Sequence, residues 1–294
     1  MRHTLILAAD QNYVPHLATT VRSLVENNAD LAFDVHIINT DITAGQWQKL
    51  TQTVAGFDCR LIDTRVSEGA TSDLVTRHHI THASYHRLLA PDLVPAATAL
   101  YLDCDLVVTG SLRDLLELPR DGRAIAAVAD PNMGPRPDLG LGPGDGYFNS
   151  GVMRLDLDVW RAGDIGPRAL AVARDRPEII QFLDQCALNA TLKGDWTRAD
   201  PACNVQSDFW RIDAETARRL YGEGAIAAAI AAPRIVHYTG NSKPWQLNNH
   251  HPLKSLYWHY RRRTAFSRWL PEDFGPRTLA RRLMPAPLLA ALGR

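Results

Sequence analysis

Alternating apolar runs and amphipathic stretches at the start of the chain leave it few folds to adopt. His3 to Ala9 is an apolar run of strand length that ends in Ala8-Ala9-Asp10-Gln11-Asn12-Tyr13. Pro15 suits the first turn of a helix, and Leu17, Val21, Leu24 and Val25 recur at the spacing of one helix face. Phe33 to Ile38 repeats the strand pattern. Thr43 can cap a second helix carrying Trp47, Leu50 and Val54 on one side, and Cys59 to Ile62 reads as a third strand. Strands separated by helices in this order need crossover connections, which predicts an α/β fold built on a doubly wound, largely parallel sheet.

The next apolar run, Ala99 to Val108, contains Asp103 and Asp105. Two residues apart on an extended backbone, both carboxylates point to one face. Like charges held together raise each other's pKa unless a cation lies between them. The pair therefore reads either as a metal site at the carboxyl edge of the sheet, where open α/β folds bind ligands, or as a solvated turn after a buried strand. Ala124 to Ala129 is a further strand. Pro131 to Gly146 holds five Gly and four Pro, a long loop that reads as a lid or a tolerated insertion. Phe148-Asn149-Ser150-Gly151 leads into a strand through Leu155, Arg168 to Ala173 and Ile179 to Leu192 read as helices, and Arg234 to Tyr238 as a last strand. His78, His79, His82 and His86 follow one another at mixed spacings of one, three and four residues, not a clean repeat, and are not read as metal ligands. Arg87, just beyond them, can reach the aspartate pocket.

Charge is balanced overall but unevenly spread. From Lys254 onward nine basic residues face only Glu272 and Asp273, leaving an acidic body with a basic appendage over 251–294. Aromatic residues stand beside arginines there (Tyr257-Trp258-His259-Tyr260-Arg261-Arg262-Arg263, then Phe266, Arg268 and Trp269), and Leu283 to Leu292 is apolar. That composition suits peripheral contact with an anionic membrane, or a helix packed on the body with its arginines solvated. An acidic body argues against nucleic acid as a partner. The four cysteines are scattered without a Cys-x-x-Cys, and no run is long enough for a signal peptide or a span, which points to the cytoplasm.

Five segments occur in one order: Ala8-Ala9-Asp10-x-Asn12-Tyr13, Tyr101-Leu102-Asp103-x-Asp105, Tyr147-Phe148-Asn149-Ser150-Gly151-Val152, Asp184-Gln185-x-x-Leu188-Asn189 and His237-Tyr238-x-Gly240-x-x-Lys243-Pro244-Trp245. Together they resemble the family 8 glycosyltransferases, which include glycogenin and bacterial lipopolysaccharide galactosyl- and glucosyltransferases. The resemblance implies a GT-A fold, with a Rossmann-like mixed sheet flanked by helices over residues 1–250. It also implies a UDP-hexose donor (galactose or glucose), a Mn²⁺ ion with Mg²⁺ as substitute, and transfer with retention to a glycan or glycolipid such as a lipopolysaccharide core. The setting would be the cytoplasm, peripheral on the inner face of its membrane.

Carried over to this sequence, the metal ligands are Asp103, Asp105 and His237. Asp10 and Asn12 hold uracil and ribose, with the base lying along the small Ala8 and Ala9. Lys243 supplies charge to the diphosphate, and Gly240 lets the backbone approach it. Asn149, Asp184 and Gln185 line the donor sugar, and Arg87 hydrogen-bonds a sugar hydroxyl or phosphate. A neutral amide such as Gln185 is a poor nucleophile, which favours departure and attack on one face over double displacement. Cys186 stands where the galactosyltransferase branch usually has an acid, so a carboxylate expected near the reacting sugar is missing. Three alternatives remain open: an inverting transferase, a nucleotidyltransferase, and a non-catalytic sugar-nucleotide binder. The first loop lacks the Gly- and Lys-rich signature of the second.

Overall fold

Strand β1 (Arg2–Ala8) shows how one alternating run builds two layers. Leu5 and Leu7 enter one apolar cluster and Ile6 the other, on opposite faces of the sheet. The computed structural model describes residues 1–67, 69–74, 82–142, 144–268 and 273–276. In it, β1 is followed by α1 (Val14–Asn27), β2 (Ala32–Asn39), α2 (Ala44–Thr53) and β3 (Cys59–Arg65). Pro15 lies in the first turn of α1, and Thr43 caps α2 through a reciprocal capping box with Gln46. After a 3₁₀ segment (His82–Leu89) come α3 (Ala90–Leu93), β4 (Thr98–Leu102), β5 (Leu106–Val108), α4 (Arg113–Leu116), β6 (Ile125–Ala129) and β7 (Phe148–Asp156). Then follow α5 (Leu157–Ala162), α6 (Ile165–Asp175), α7 (Leu183–Leu192), β8 (Thr197–Arg198), β9 (Val205–Gln206), α8 (Ala214–Tyr221), α9 (Ala225–Ala231), β10 (Ile235–His237) and α10 (Lys254–Arg261).

Among the described residues, seven strands form one sheet in the order β3-β2-β1-β4-β7-β6-β8. β1 to β4 are mutually parallel as the alternating start requires, but β7 enters antiparallel between β4 and β6, so the sheet is mixed. α1 and α2 cover one face, and α5, α6 and α7 the other. A second, three-stranded sheet has the order β5-β10-β9. The run from Ala99 to Val108 is thus two strands in two sheets, with Asp103, Cys104 and Asp105 in the bend between them. The expected helix from Ile179 begins only at Leu183; Pro177–Ile179 is a separate 3₁₀ turn.

The appendage beyond residue 250 is folded against the body as far as Phe266. Tyr257, Tyr260 and Arg261 of α10 are buried, and the Tyr257 hydroxyl lies 2.7 Å from His16 Nδ1 of α1. These side chains face inward rather than toward a lipid surface. Trp269 and Leu283 to Leu292, which entered the membrane reading, lie outside the described residues, as do His78 and His79. No helix among the described residues is long and apolar enough to cross a membrane.

Tyr257→Ala is expected to lower stability in urea by about 3–5 kcal/mol, the scale of a lost aromatic core side chain, and Tyr257→Phe by about 1 kcal/mol for its hydrogen bond. Unchanged unfolding midpoints in both would show that α10 is not part of the cooperative unit.

Candidate active site

The carboxyl ends of β1, β4 and β6 and the start of antiparallel β7 meet at one sheet edge, and β10 delivers its last residue to the same place. There an open cavity of about 360 Å³ is lined by every residue nominated above except Asn12. Asn12 is exposed. Its backbone N–H, with that of Tyr13, donates to Asp10 Oδ1 (2.9 and 3.2 Å), an Asx turn that leads into α1, and Tyr13 rather than Asn12 lines the wall.

The bend after β4 is held from several sides. Asp103 N–H donates to Gly151 O (2.8 Å), Tyr238 N–H donates to Asp105 O (3.0 Å), and the buried Thr20 hydroxyl donates to the carbonyls of Cys104 (3.1 Å) and Leu106 (2.8 Å). Antiparallel register pairs His237 with Leu106, and so sets the imidazole beside Asp105. Asp103, Asp105 and His237 offer ligand atoms all within 4.8 Å of one another. The crossing strand leaves room for them because residue 151 is glycine: a Cβ there would lie 2.6 Å from Asp103 Oδ2 and closer still to His237 Cε1. Two hard carboxylates and one imidazole are a donor set suited to a divalent ion such as manganese.

Both aspartates also touch protein cations. Lys243 Nζ donates to Asp105 Oδ2 (2.5 Å) and to Tyr238 O (2.9 Å), and Gly240 in the same loop adopts φ +82°. Burial alone would raise the Asp105 carboxyl, but the Lys243 ammonium and His237 outweigh it and hold it below the usual carboxylate range. Arg87, 6 % exposed, bridges Asp103 Oδ1 (2.9 Å) and Asp184 Oδ2 (3.1 Å) and donates to Ser150 O (2.9 Å), so most of its donors serve the protein itself.

Asp184 and Gln185 are presented by a strained turn. Leu183 adopts φ +30°, a conformation non-glycine residues rarely take, and the Phe182 N–H is capped by Cys186 Sγ (3.2 Å). That turn is what delays α7. It places Phe182, 38 % exposed, on the cavity rim. Cys186 itself points away from the cavity, toward Tyr147 Oη (3.2 Å) and Arg136 Nη1 (3.7 Å). The acid it replaces would therefore face Arg136 behind the turn, and the expectation of a lost carboxylate near the sugar does not hold. Arg136 also donates to Ile179 O (2.9 Å), which pins the Gly- and Pro-rich loop to the same turn.

Several residues of the site escaped the sequence reading, Asp130, Asp208 and Asn204 among them. Asp130 accepts from Gln185 Nε2 (3.0 Å) and lies directly after β6, where the rule of carboxyl strand ends could have flagged it. Asp208 lines the same cavity and accepts from Asn132 Nδ2. Asn204, fully buried, contacts both His237 and Asn149, and nothing in its sequence context marks it.

Residues 4–249 match the glycosyl transferase family 8 model over most of the chain. The chain belongs to glycosyl transferase family 8. Among relatives of this family 8 enzyme, General stress protein A of Bacillus subtilis is 28% identical over 90% of this chain and 94% of its own length. Glycosyltransferase GlyF of Streptococcus pneumoniae is 30% identical over 89% of this chain, which spans only 62% of GlyF. The galactosyltransferase LgtC, solved in complex with donor and acceptor sugar analogues, shares the fold, a GT-A one: TM-score 0.79 at 22% identity, covering 92% of this chain and 98% of that one. This family 8 chain is a glycosyltransferase.

Burial pushes the Asp184 carboxyl up to about 6; Arg87 pulls against this, but it is shared with Asp103, whose charge adds to the push. The folded state then holds a proton that the unfolded state has released between about pH 4 and 6, so stability falls as pH rises through that window. The loss is on the order of 3 kcal/mol. In urea titrations with EDTA, the stability of the parent relative to Asp184→Asn is expected to decline from pH 4 to 6 and level off above 7. A flat difference would refute the raised carboxyl.

Proposed function

We propose that this family 8 enzyme transfers a hexose, galactose or glucose, from UDP to a glycan acceptor of the lipopolysaccharide-core kind, with retention at the anomeric carbon and with Mn²⁺. The observation that carries this reading is the division of one cavity into two chemistries. Asp103, Asp105, His237 and Lys243 form a wall that suits a diphosphate and its cation, and Arg87, Asn149, Asp184 and Gln185 form another that suits a polyhydroxylated ring. Held by Asp103, Asp105 and His237, Mn²⁺ would neutralise charge on the departing diphosphate as a Lewis acid. Lys243 adds a point charge there, and the small Ala8 and Ala9 leave a flat base room along the backbone beside Asp10.

Gln185 Oε1 accepts from Asn149 Nδ2 and from Ser150 N–H, both at 3.1 Å. An amide oxygen already engaged twice is poorly disposed to attack carbon, which supports same-face transfer. In that reaction the bond from anomeric carbon to phosphate oxygen breaks as the acceptor oxygen bonds to the same face, and the acceptor proton passes to the released phosphate oxygen. Asp130, a carboxylate an inverting reaction could use as base, is already engaged by Gln185, Asn149 and the Asn132 N–H. The exposed ring of Phe182 gives an acceptor sugar an apolar face to stack on.

UDP release from a panel of UDP-sugars is expected to occur with one UDP-hexose, to require Mn²⁺, and to fall about 100-fold or more in Asp105→Asn, the scale of one lost electrostatic stabiliser. NMR of the glycoside formed should show the α-anomer of an α-linked donor. A β-linked product would reject retention, and turnover in EDTA would reject the metal.

A further inference from the structure

The side chains from Asp130 to His237 are joined end to end, and two backbone amides reveal the direction of every link. A backbone N–H can only donate. Ser150 N–H donates to Gln185 Oε1, so Gln185 Nε2 is the end that donates to Asp130. Gly151 N–H donates to Asn149 Oδ1 at 3.1 Å, which makes that atom the carbonyl oxygen. An acceptor there requires a donor from Asn204, whose Nδ2 lies 3.0 Å away. Asn204 Oδ1 is then the atom 3.0 Å from His237 Nδ1, and an amide oxygen can only accept. Nδ1 of His237 therefore carries a proton. Its Nε2 faces Asp105 Oδ1 at 3.2 Å and Asp103 Oδ2 at 3.8 Å, where a proton would be donated to Asp105 and a bound cation would take that proton's place.

We propose that Asn204 is a positioning residue shared by the metal ligands and the donor-sugar wall, selecting the Nδ1–H tautomer of His237 with one end of its amide and orienting Asn149 with the other. This rests on the metal-dependent reading given above and adds to it a coupling between the two walls. A neutral imidazole left to itself favours the proton on Nε2, which would aim an N–H instead of a lone pair at the aspartates. Asn204 gives the Nδ1 proton an acceptor, so that a cation can replace the Nε2 proton, and does so without adding charge. Its fully buried position beside β9, the strand paired with β10, keeps the contact rigid.

Two substitutions separate the two ends. Asn204→Leu keeps the branching of the side chain and loses both contacts; Asn204→Asp keeps an acceptor for His237 but sets an oxygen against Asn149 Oδ1. Nitrogen-15 NMR of histidine-labelled protein without metal, with His237→Gln to assign the signal, should show a proton on Nδ1 in the parent and in Asn204→Asp, and in Asn204→Leu a proton on Nε2 alone. Mn²⁺ titration followed by electron paramagnetic resonance, without nucleotide, should show affinity lowered about 10- to 100-fold in Asn204→Leu and largely kept in Asn204→Asp. Asn204→Asp should instead raise the KM for the UDP-sugar. An unchanged tautomer and unchanged Mn²⁺ affinity in Asn204→Leu would overturn the proposal. Should that variant fail to fold, an Nδ1 without a proton in Asn204→Asp would overturn it equally. A parent that binds no Mn²⁺ would count against the metal-dependent reading, while the tautomer comparison would still decide the role of Asn204.

Discussion

Two carboxylates and an imidazole facing one point are an arrangement that a folded chain must hold together against their own electrostatics, and much of the surrounding structure serves to do so. Asp103 and Asp105 leave β4 in a bend stitched down by Thr20, Gly151 and Tyr238. Arg87 and Lys243 each place a cation against one of them. The missing side chain of Gly151 provides the space, and the β5-β10 pairing brings His237 from more than a hundred residues away.

Much of the architecture could be read directly. The three alternating strands and two helices at the start appear with boundaries displaced by a few residues, because the 2.0 and 3.6 periods there agree with burial. The antiparallel entry of β7 was not readable from the residues alone, since an apolar run carries no direction. The late start of α7 was also hidden: Ile179 and Ile180 extend the apolar pattern, while the left-handed turn at Leu183 is accompanied by a local contact of Cys186 with the Phe182 N–H and a distant one with Arg136.

The site was legible where a motif compresses its geometry into a few residues, as in Asp103-x-Asp105 or His237 to Lys243. It was illegible where a single residue acts through contacts distant in sequence. Asn204 and Asp208 fall in that class, and Asp130 narrowly so. Cys186 shows the opposite error: the resemblance set it near the reacting sugar, whereas its side chain turns toward Tyr147 and Arg136. The early part of the basic appendage looks amphipathic for the same reason a packed helix does: Tyr257 and Tyr260 supply a buried stripe against α1.

The bend between β4 and β5 has a mechanical consequence. Asp103 is anchored to the large sheet through Gly151, whereas Asp105 and His237 travel with the small one. A shift of one sheet against the other would therefore be felt first in the gap from Asp103 to its two companions, with the Asn204 link from His237 to Asn149 of β7 resisting it.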